Sequence, residues 1–368
     1  MIEKNTVPII KKKCKALCFV DSDTVLIFKN WRLYLYRISK NKTDYVVKIP
    51  VSRIRKLCSK LRFLVRLYGL DAIQAIKVND NTVVVYEHKR FYRLDLNNKS
   101  LFPIKYENNE FCLQVLQLSL IGADVFLGEY GYNPEKHEMS VYKYSVVEDK
   151  VFKVYTFASG TINHIHNIKF NPDKQRYYVF TGDFGDSVAI YEFDQDFIFK
   201  KIILNGEQKY RTCQAICYNN NILYINDTPF QYNQILSFDL SSNELQGYDE
   251  INGPCINGVE SDGHILYFSS TIENETVESN NKRNYFKYNL GKGIKSWFVC
   301  NYCFDISSKE CIMFYKQKKD LLPMMPFKYG MYTFANNVDL SSYIAINGLA
   351  IRNDDGKMLI FNKKDITN

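Results

Sequence analysis

Apolar positions in this chain fall in short strand-length runs bounded by polar turns, and helical periodicity is almost absent. Runs such as Thr82-Val83-Val84-Val85-Tyr86 and Phe152-Lys153-Val154-Tyr155-Thr156-Phe157 are rich in β-branched and aromatic residues and end in polar turns such as Asn97-Asn98-Lys99. A short motif, an aromatic or apolar pair followed by Ser, Asp or Asn, recurs along the chain. It reads Tyr36-Arg37-Ile38-Ser39, Tyr92-Arg93-Leu94-Asp95, Tyr142-Lys143-Tyr144-Ser145, Tyr191-Glu192-Phe193-Asp194, Leu236-Ser237-Phe238-Asp239, Phe286-Lys287-Tyr288-Asn289 and Leu359-Ile360-Phe361-Asn362. Each copy sits within a unit of about four strands over roughly 45–50 residues, the period of propeller blades. The pattern predicts an all-β fold, a β-propeller of seven four-stranded blades, with six as the alternative. No Gly/Ser- or Pro-rich linker interrupts it, so residues 1–368 are read as a single domain.

Two segments stand apart. Ser52 to Leu67 carries Ile54, Leu57, Leu61, Leu64 and Val65 on a helical stripe and predicts a short helix or irregular segment between the first two blades. Leu321-Leu322-Pro323-Met324-Met325-Pro326 predicts a long connection within the last unit, because a central strand does not tolerate these prolines. The strand near Leu17-Cys18-Phe19-Val20 is expected to complete the final blade and close the ring.

Composition narrows the class. Hydrophobic residues at 46 % against 24 % charged allow a sizeable core, and no apolar run reaches the length of a membrane helix. With no such run, no membrane partner is expected, and because the start lacks the basic-then-apolar order of a signal peptide, a cytoplasmic protein is expected. The 10 cysteines show no regular framework and sit beside apolar residues, which predicts reduced core fillers. Cys300 and Cys303 would need further ligands, with Cys311 a candidate, to make a zinc site. The net charge of +8 draws on Lys11-Lys12-Lys13-Cys14-Lys15 and on Arg53, Arg55, Lys56, Lys60, Arg62 and Arg66. Such a field suits an anionic partner. No nucleic-acid module pattern is present, so nucleic acid is not the expected partner and an acidic oligosaccharide or polysaccharide is.

Candidate chemistry concentrates in the middle units, where polar residues interrupt apolar strands. Two of the 5 histidines fall in Gly160-Thr161-Ile162-Asn163-His164-Ile165-His166. At i and i+2 of a strand they share a face, where they could bind a metal, act as a base or simply pack in a core. Phe126-Leu127-Gly128-Glu129-Tyr130, Phe180-Thr181-Gly182-Asp183 and Leu223-Tyr224-Ile225-Asn226-Asp227 each end an apolar strand in a carboxylate. Three blades doing so would ring the channel mouth, although Asp and Asn at strand ends also serve as turn formers. Arg211 opens the next unit at a place equivalent to the His pair and could hold a substrate carboxylate. Glu87 and His88 follow the strand of the second unit and could reach the same mouth.

The series Glu129 to Glu135, Gly160 to His166, Thr181-Gly182-Asp183, Tyr210-Arg211-Thr212 and Asn226-Asp227-Thr228-Pro229 resembles the sialidase-like (BNR-repeat) β-propeller family, whose members are described as glycosyl-hydrolase-like. The likeness covers about residues 120 to 240 and implies the propeller fold. The chain departs from true sialidases: the turn at Ser145 to Phe152 is a degenerate Asp-box, and no arginine triad accompanies it. It is also similar in outline to propeller-shaped polysaccharide lyases, some of which use His, Tyr and Arg with a metal.

These readings converge on a carbohydrate-active protein for an acidic glycan. The expected catalytic groups are His164, His166, Glu129, Tyr130 and Asp183, with Arg211, Asn163, Asp227, Arg66 and His88 binding substrate. A lyase needs a base and a group that neutralises the uronate. A hydrolase needs two flanking carboxylates, a scheme in which the His pair has no set place. A non-catalytic glycan-binding or protein-interaction propeller is the remaining alternative. No cofactor is certain. A divalent cation fits these residue types, while the metal, its ligands and the oligomeric state stay open.

Overall fold

The computed structural model describes residues 1–273 and 290–367 and forms a seven-bladed propeller. Blade one comprises Lys15–Phe19, Thr24–Lys29, Arg32–Arg37 and Lys42–Lys48. Blade two runs from Ile73–Lys77 to Ser100–Pro103, and blade three from Leu118–Ile121 to Lys150–Phe157. Blade four is His164–Asn171, Arg176–Gly182, Ala189–Phe193 and Phe199–Asn205. Blade five is Thr212–Tyr218, Asn221–Asn226, Asn233–Asp239 and Leu245–Ile251. Blade six runs from Asn257–Ser261 to Glu310–Lys318. Within each of these blades consecutive strands pair antiparallel from the axis outward.

The recurring motif falls on the third strand of its blade. Its sixth expected copy, Phe286 to Asn289, lies outside the described residues. The third strand of blade six is instead Phe298–Asp305, where Tyr302-Cys303-Phe304-Asp305 repeats the same pattern. Among the described residues, helix is confined to α1 (Arg53–Cys58), α2 (Arg62–Tyr68), α3 (Met324–Phe327), α4 (Lys363–Thr367) and short 3-10 turns. The helical stripe near residue 52 is therefore two short helices, and the proline-containing connection at 321–326 holds α3.

Ring closure departs from expectation. Lys15–Phe19 is the innermost strand of blade one, and its continuous burial suits a strand covered on both faces. Ile10–Lys12 closes the ring instead, pairing antiparallel with Met358–Asn362 as the outermost strand of blade seven. Upstream, Ile2–Glu3 adds a parallel fifth strand to blade six.

Apolar residues form sandwiches between neighbouring blades. Leu26 and Val83 share the layer between blades one and two, and Val84 and Val125 the layer between two and three. Val141 and Ile168 pack between three and four, Phe180 and Ile222 between four and five, and Leu223 and Phe268 between five and six. The largest layer joins blades six, seven and one around Phe314, Ile346 and Val25. All ten cysteines are free thiols, and all but Cys58, Cys112 and Cys217 are buried. Cys300 packs into the layer between blades five and six while Cys303 faces blade seven, so the two do not converge on a zinc site.

Among the described residues, the connections between blades and the turns after second strands emerge at one end of the ring. Deleting residues 1–12 should expose the edge of Met358–Asn362 and open that ring. We expect urea unfolding to show a loss of about 2 kcal/mol or more, with aggregation near the midpoint. An unchanged midpoint would mean that the closing strand adds nothing.

Candidate active site at the seam of blades four and five

His164 opens the innermost strand of blade four, opposite Gly182 on the second strand. A β-bulge at His166 shifts the register between Ile165 and Asn167. Bulges re-aim side chains. Here the bulge turns the His166 ring toward His164, and the two Nε2 atoms approach to 3.0 Å. The ring needs the space above Gly182, where a Cβ would lie 2.3 Å from His166 Cε1. Blade five repeats this arrangement with sizes exchanged. Its bulge falls at Cys213, and Asp227 N–H donates to Arg211 O at 2.8 Å, so Arg211 stands where His164 does and Asp227 where Gly182 does. A small thiol leaves room for the Asp227 carboxylate, and Cys213 Sγ donates to Asp227 Oδ2 at 3.3 Å.

Asp183 joins the two halves. Its Oδ1 lies 3.3 Å from His164 Nε2, 3.4 Å from His166 Nε2 and 3.1 Å from Arg211 Nη2. Arg211 Nη2 also reaches Asp227 Oδ2 at 3.4 Å. Asn163 and Gln208 hold the backbone of Asp183: its N–H donates to Asn163 Oδ1 at 3.3 Å, and Gln208 Nε2 donates to its carbonyl at 2.8 Å. Asn163 in turn exchanges side-chain-to-backbone hydrogen bonds with Asn133, both 3.0 Å. Asn163 thus positions Asp183.

The histidine tautomers follow from their other nitrogens. His164 Nδ1 lies 3.0 Å from Gly131 O, and His166 Nδ1 lies 3.0 Å from Thr212 O. A carbonyl only accepts, so each Nδ1 donates. Neutral rings then present unprotonated Nε2 atoms to each other and to Asp183. Three lone-pair donors facing one another require a cation between them, a proton or a metal ion. Two ligands to one ion, with bonds of about 2.1 Å, stand about 3.0–3.4 Å apart in octahedral or tetrahedral geometry. The observed separations of 3.0, 3.3 and 3.4 Å fit that shape. His164, His166 and Asp183 therefore suit a divalent cation, as two imidazoles and a carboxylate commonly do.

Electrostatics sort the surrounding groups. Burial opposes the charge of Asp183, but Arg211 and the two imidazoles outweigh it and hold its carboxyl far below the usual range. Burial lowers the His166 pKa despite Asp183. Asp227 and Asp183 keep the buried Arg211 charged. Glu273 is pushed up to about 8, first by burial and then by Asp227, so it is protonated at neutral pH. Burial and the charge of Asp183 raise the Tyr130 phenol, whose ring centroid lies 4.3 Å from that of His164.

Not every expected site residue comes to this seam. Backbone pairing of Glu129 with Ser140 continues past the second strand of blade three. The Glu129 carboxylate consequently bonds Ser140 N at 3.1 Å along its own blade, and Tyr130, one residue on, faces the His pair. Asp227 is buried behind Arg211. Arg66 sits away from the seam, buried, with its guanidinium donating to Phe327 O at 2.7 Å and paired with Asp320, where it ties α2 to α3. His88 stands in the hairpin turn of blade two, and its neighbour Glu87 is taken by Arg55 at 2.8 Å. Cys213, Gln208 and Glu273 belong to the cluster but were not foreseen. Cys213 reads as a core filler, and Ser269-Ser270-Thr271 separates Glu273 from its apolar strand.

A cavity of about 1040 Å³ occupies the channel mouth. Tyr130 and His88 line it, with the His pair lying behind Tyr130. Lys13, Lys29, Lys89 and Lys328 also line it and form no ion pair among the described residues. Asp183 keeps a quarter of its side chain exposed (25 %) and Arg211 less (12 %), so the seam is reachable from solvent.

No protein-family model matches the chain, and no curated protein matches it either. Among solved structures it is similar to an oligogalacturonate lyase in complex with manganese, at 8 % identity and TM-score 0.56 over 99 % of this chain and 100 % of that one. It is also similar to the hydrazine synthase of Kuenenia stuttgartiensis, at 13 % identity and TM-score 0.45 over 74 % of this chain and 75 % of that one. The likeness to the oligogalacturonate lyase structure agrees with the class the fold defines, a β-propeller protein, and shows nothing finer. The resemblance to sialidase-like propellers holds at the level of that fold, and no family match accompanies it.

Mn²⁺ or Zn²⁺ should bind with one-site stoichiometry in calorimetry and raise the thermal midpoint, with both effects lost in His166→Ala. Without metal, stability should fall as pH drops below 6.5, because the unfolded chain protonates His166 more readily than the buried ring does. Urea midpoints at several pH values test the sign, and His166→Gln should flatten that slope. Gly182→Ala should displace the His166 ring, costing about 1–3 kcal/mol and weakening metal binding. Metal affinity unchanged by that substitution would show that His166 is not a ligand.

Proposed function

We propose that this propeller is a cation-dependent lyase acting on an acidic oligosaccharide or polysaccharide at the mouth of its channel. The observation that carries the reading is the convergence of two Nε2 lone pairs and a carboxylate oxygen at 3.0–3.4 Å, fixed from behind by backbone carbonyls. A divalent cation held there would supply Lewis-acid stabilisation to a carboxylate that gains charge during reaction. The unpaired Lys13, Lys89 and Lys328 at the cavity wall favour a polyanionic chain over a neutral one.

β-Elimination takes a proton from the carbon next to the carboxyl group, breaks the bond to the glycosidic oxygen, forms a carbon–carbon double bond and returns a proton to the departing oxygen. Tyr130 lines the cavity with its proton held firmly by burial and by Asp183, and it is the group suited to protonate the leaving oxygen. His88 lines the same cavity and stays neutral, since burial and then Arg55 lower its pKa, so it can accept a proton. The buried His164 and His166 bind and orient. Arg211 balances the charge of Asp183. The oligogalacturonate lyase neighbour, described in complex with manganese, is consistent with this choice of substrate and cation. A two-carboxylate hydrolase is less well supported, because Glu129 is turned into its own blade and Asp227 is buried.

Incubation with uronic-acid and nonulosonic-acid polysaccharides plus Mn²⁺ should yield ultraviolet absorbance from a new double bond. Tyr130→Phe should lower kcat by about 10²-fold or more with little change in thermal midpoint. Reducing ends without absorbance would make the protein a hydrolase. Saturable binding without either product would make it a glycan-binding propeller.

A further inference from the structure

We propose that α1 and α2 form a docking surface that seats the channel mouth on an anionic lipid bilayer. Surface helices ordinarily turn apolar residues inward and charges outward. This pair departs from that pattern by turning three arginines inward and leaving most of its large apolar side chains outward. Arg55 turns in to Glu87 at 2.8 Å, Arg62 to Asp71 and Asp355 at 2.7 Å each, and Arg66 to Asp320. Trp31 Nε1 donates to Ser59 Oγ at 2.9 Å and pins the turn between the helices to blade one. Val65 packs against Trp31 and Leu70, while six other large apolar side chains of the pair face out. Ile54 is 76 % exposed, Leu57 65 %, Leu61 52 % and Tyr68 58 %, with Phe63 and Leu67 also exposed. α3 packs against α2, and the loop before it exposes Leu321 and Leu322.

Charge selects the occupant. No Asp or Glu occurs between Tyr45 and Leu70. Arg53, Lys56 and Lys60 are exposed and form no ion pair among the described residues. A protein partner would bury a lysine-poor interface core. Leucine and aromatic side chains ringed by unpaired Lys and Arg instead match a negatively charged headgroup layer, into which such helices sink their apolar side. Placement sets the orientation. α1 and α2 connect the outermost strand of blade one to the innermost strand of blade two, and Lys60, Arg62 and Tyr68 lie on the cavity wall. A bilayer under these helices therefore faces the channel mouth. The earlier expectation of no membrane partner rested on the lack of a spanning segment. No helix among the described residues is long and apolar enough to cross a membrane, and surface docking needs none.

The test is sedimentation of the full chain with vesicles of phosphatidylcholine alone and of phosphatidylcholine mixed with phosphatidylglycerol. The mixed vesicles should carry the protein down, and added salt should weaken the binding. Leu57→Asp with Leu61→Asp should cut the bound fraction about tenfold while leaving the thermal midpoint in place, because both residues are exposed. Arg53→Glu with Lys56→Glu should remove the preference for the anionic vesicles. Failure to bind either vesicle overturns the proposal. So does a dimer in light scattering that Leu57→Asp with Leu61→Asp converts to monomer, which would make this face a contact between copies. Neither outcome bears on the lyase reading, whose assay uses soluble polysaccharide.

Discussion

Each blade of this ring is a sheet with two apolar faces, and burying both against neighbours is the constraint on which everything else depends. A lone four-stranded sheet would leave residues such as Ile168 and Ile222 in water, at about 1.5–3 kcal/mol each. Only a closed circle covers every face. Closure also aligns equivalent strand positions at one end of the axis, where loops need not pack. The cluster occupies a seam between two of these sandwiches. There the apolar layer of Phe180 and Ile222 gives way to His166, Asp183, Arg211 and Asp227. Each of these side chains has at least one partner at that depth, although Arg211 Nε and Asp227 Oδ1 have none, and the two facing Nε2 atoms mark the place where a proton or a metal ion is needed.

The seam is two copies of one blade position altered in complementary ways. Blade four puts the bulk on the bulged strand, as His166, and none opposite, at Gly182. Blade five puts a small thiol on the bulge and the carboxylate of Asp227 opposite. One blade thereby contributes imidazoles and the other a guanidinium with its counter-ion. Asp183, one residue beyond the strand end, is shared by both.

The blade count was legible because burial on both faces writes near-continuous apolar, aromatic-rich runs, and the recurring motif marks a third strand at each copy among the described residues. The His pair was legible as a polar intrusion into such a run. What could not be read was the bulge. Simple alternation puts His164 and His166 on one face, but the extra residue at 166 is what brings the Nε2 atoms together. The same limit misplaced Glu129. Glu129 pairs with Ser140 as Thr181 pairs with Ala189 in blade four, one position short of the inward place, which falls to Tyr130. Arg66 misled for a different reason: a basic run looks solvated, and nothing nearby in sequence reveals that Asp320 and Asp355, which hold Arg66 and Arg62, approach from the far end of the chain.

The closing strand has a consequence for the order in which the chain takes shape on the ribosome. Ile10–Lys12 is made before every strand of blade one, yet its partner Met358–Asn362 is made only after blade six. Ile2–Glu3 waits nearly as long for Glu310–Lys318. Blades one to five can each stack as they emerge, since their strands are contiguous. Ile10–Lys12 must stay unpaired until Met358–Asn362 has been made, exposing a strand edge of the kind that recruits other chains. Lys11, Lys12 and Lys13 lie in or beside that strand, and their mutual repulsion keeps two nascent copies apart until the last blade arrives to claim it.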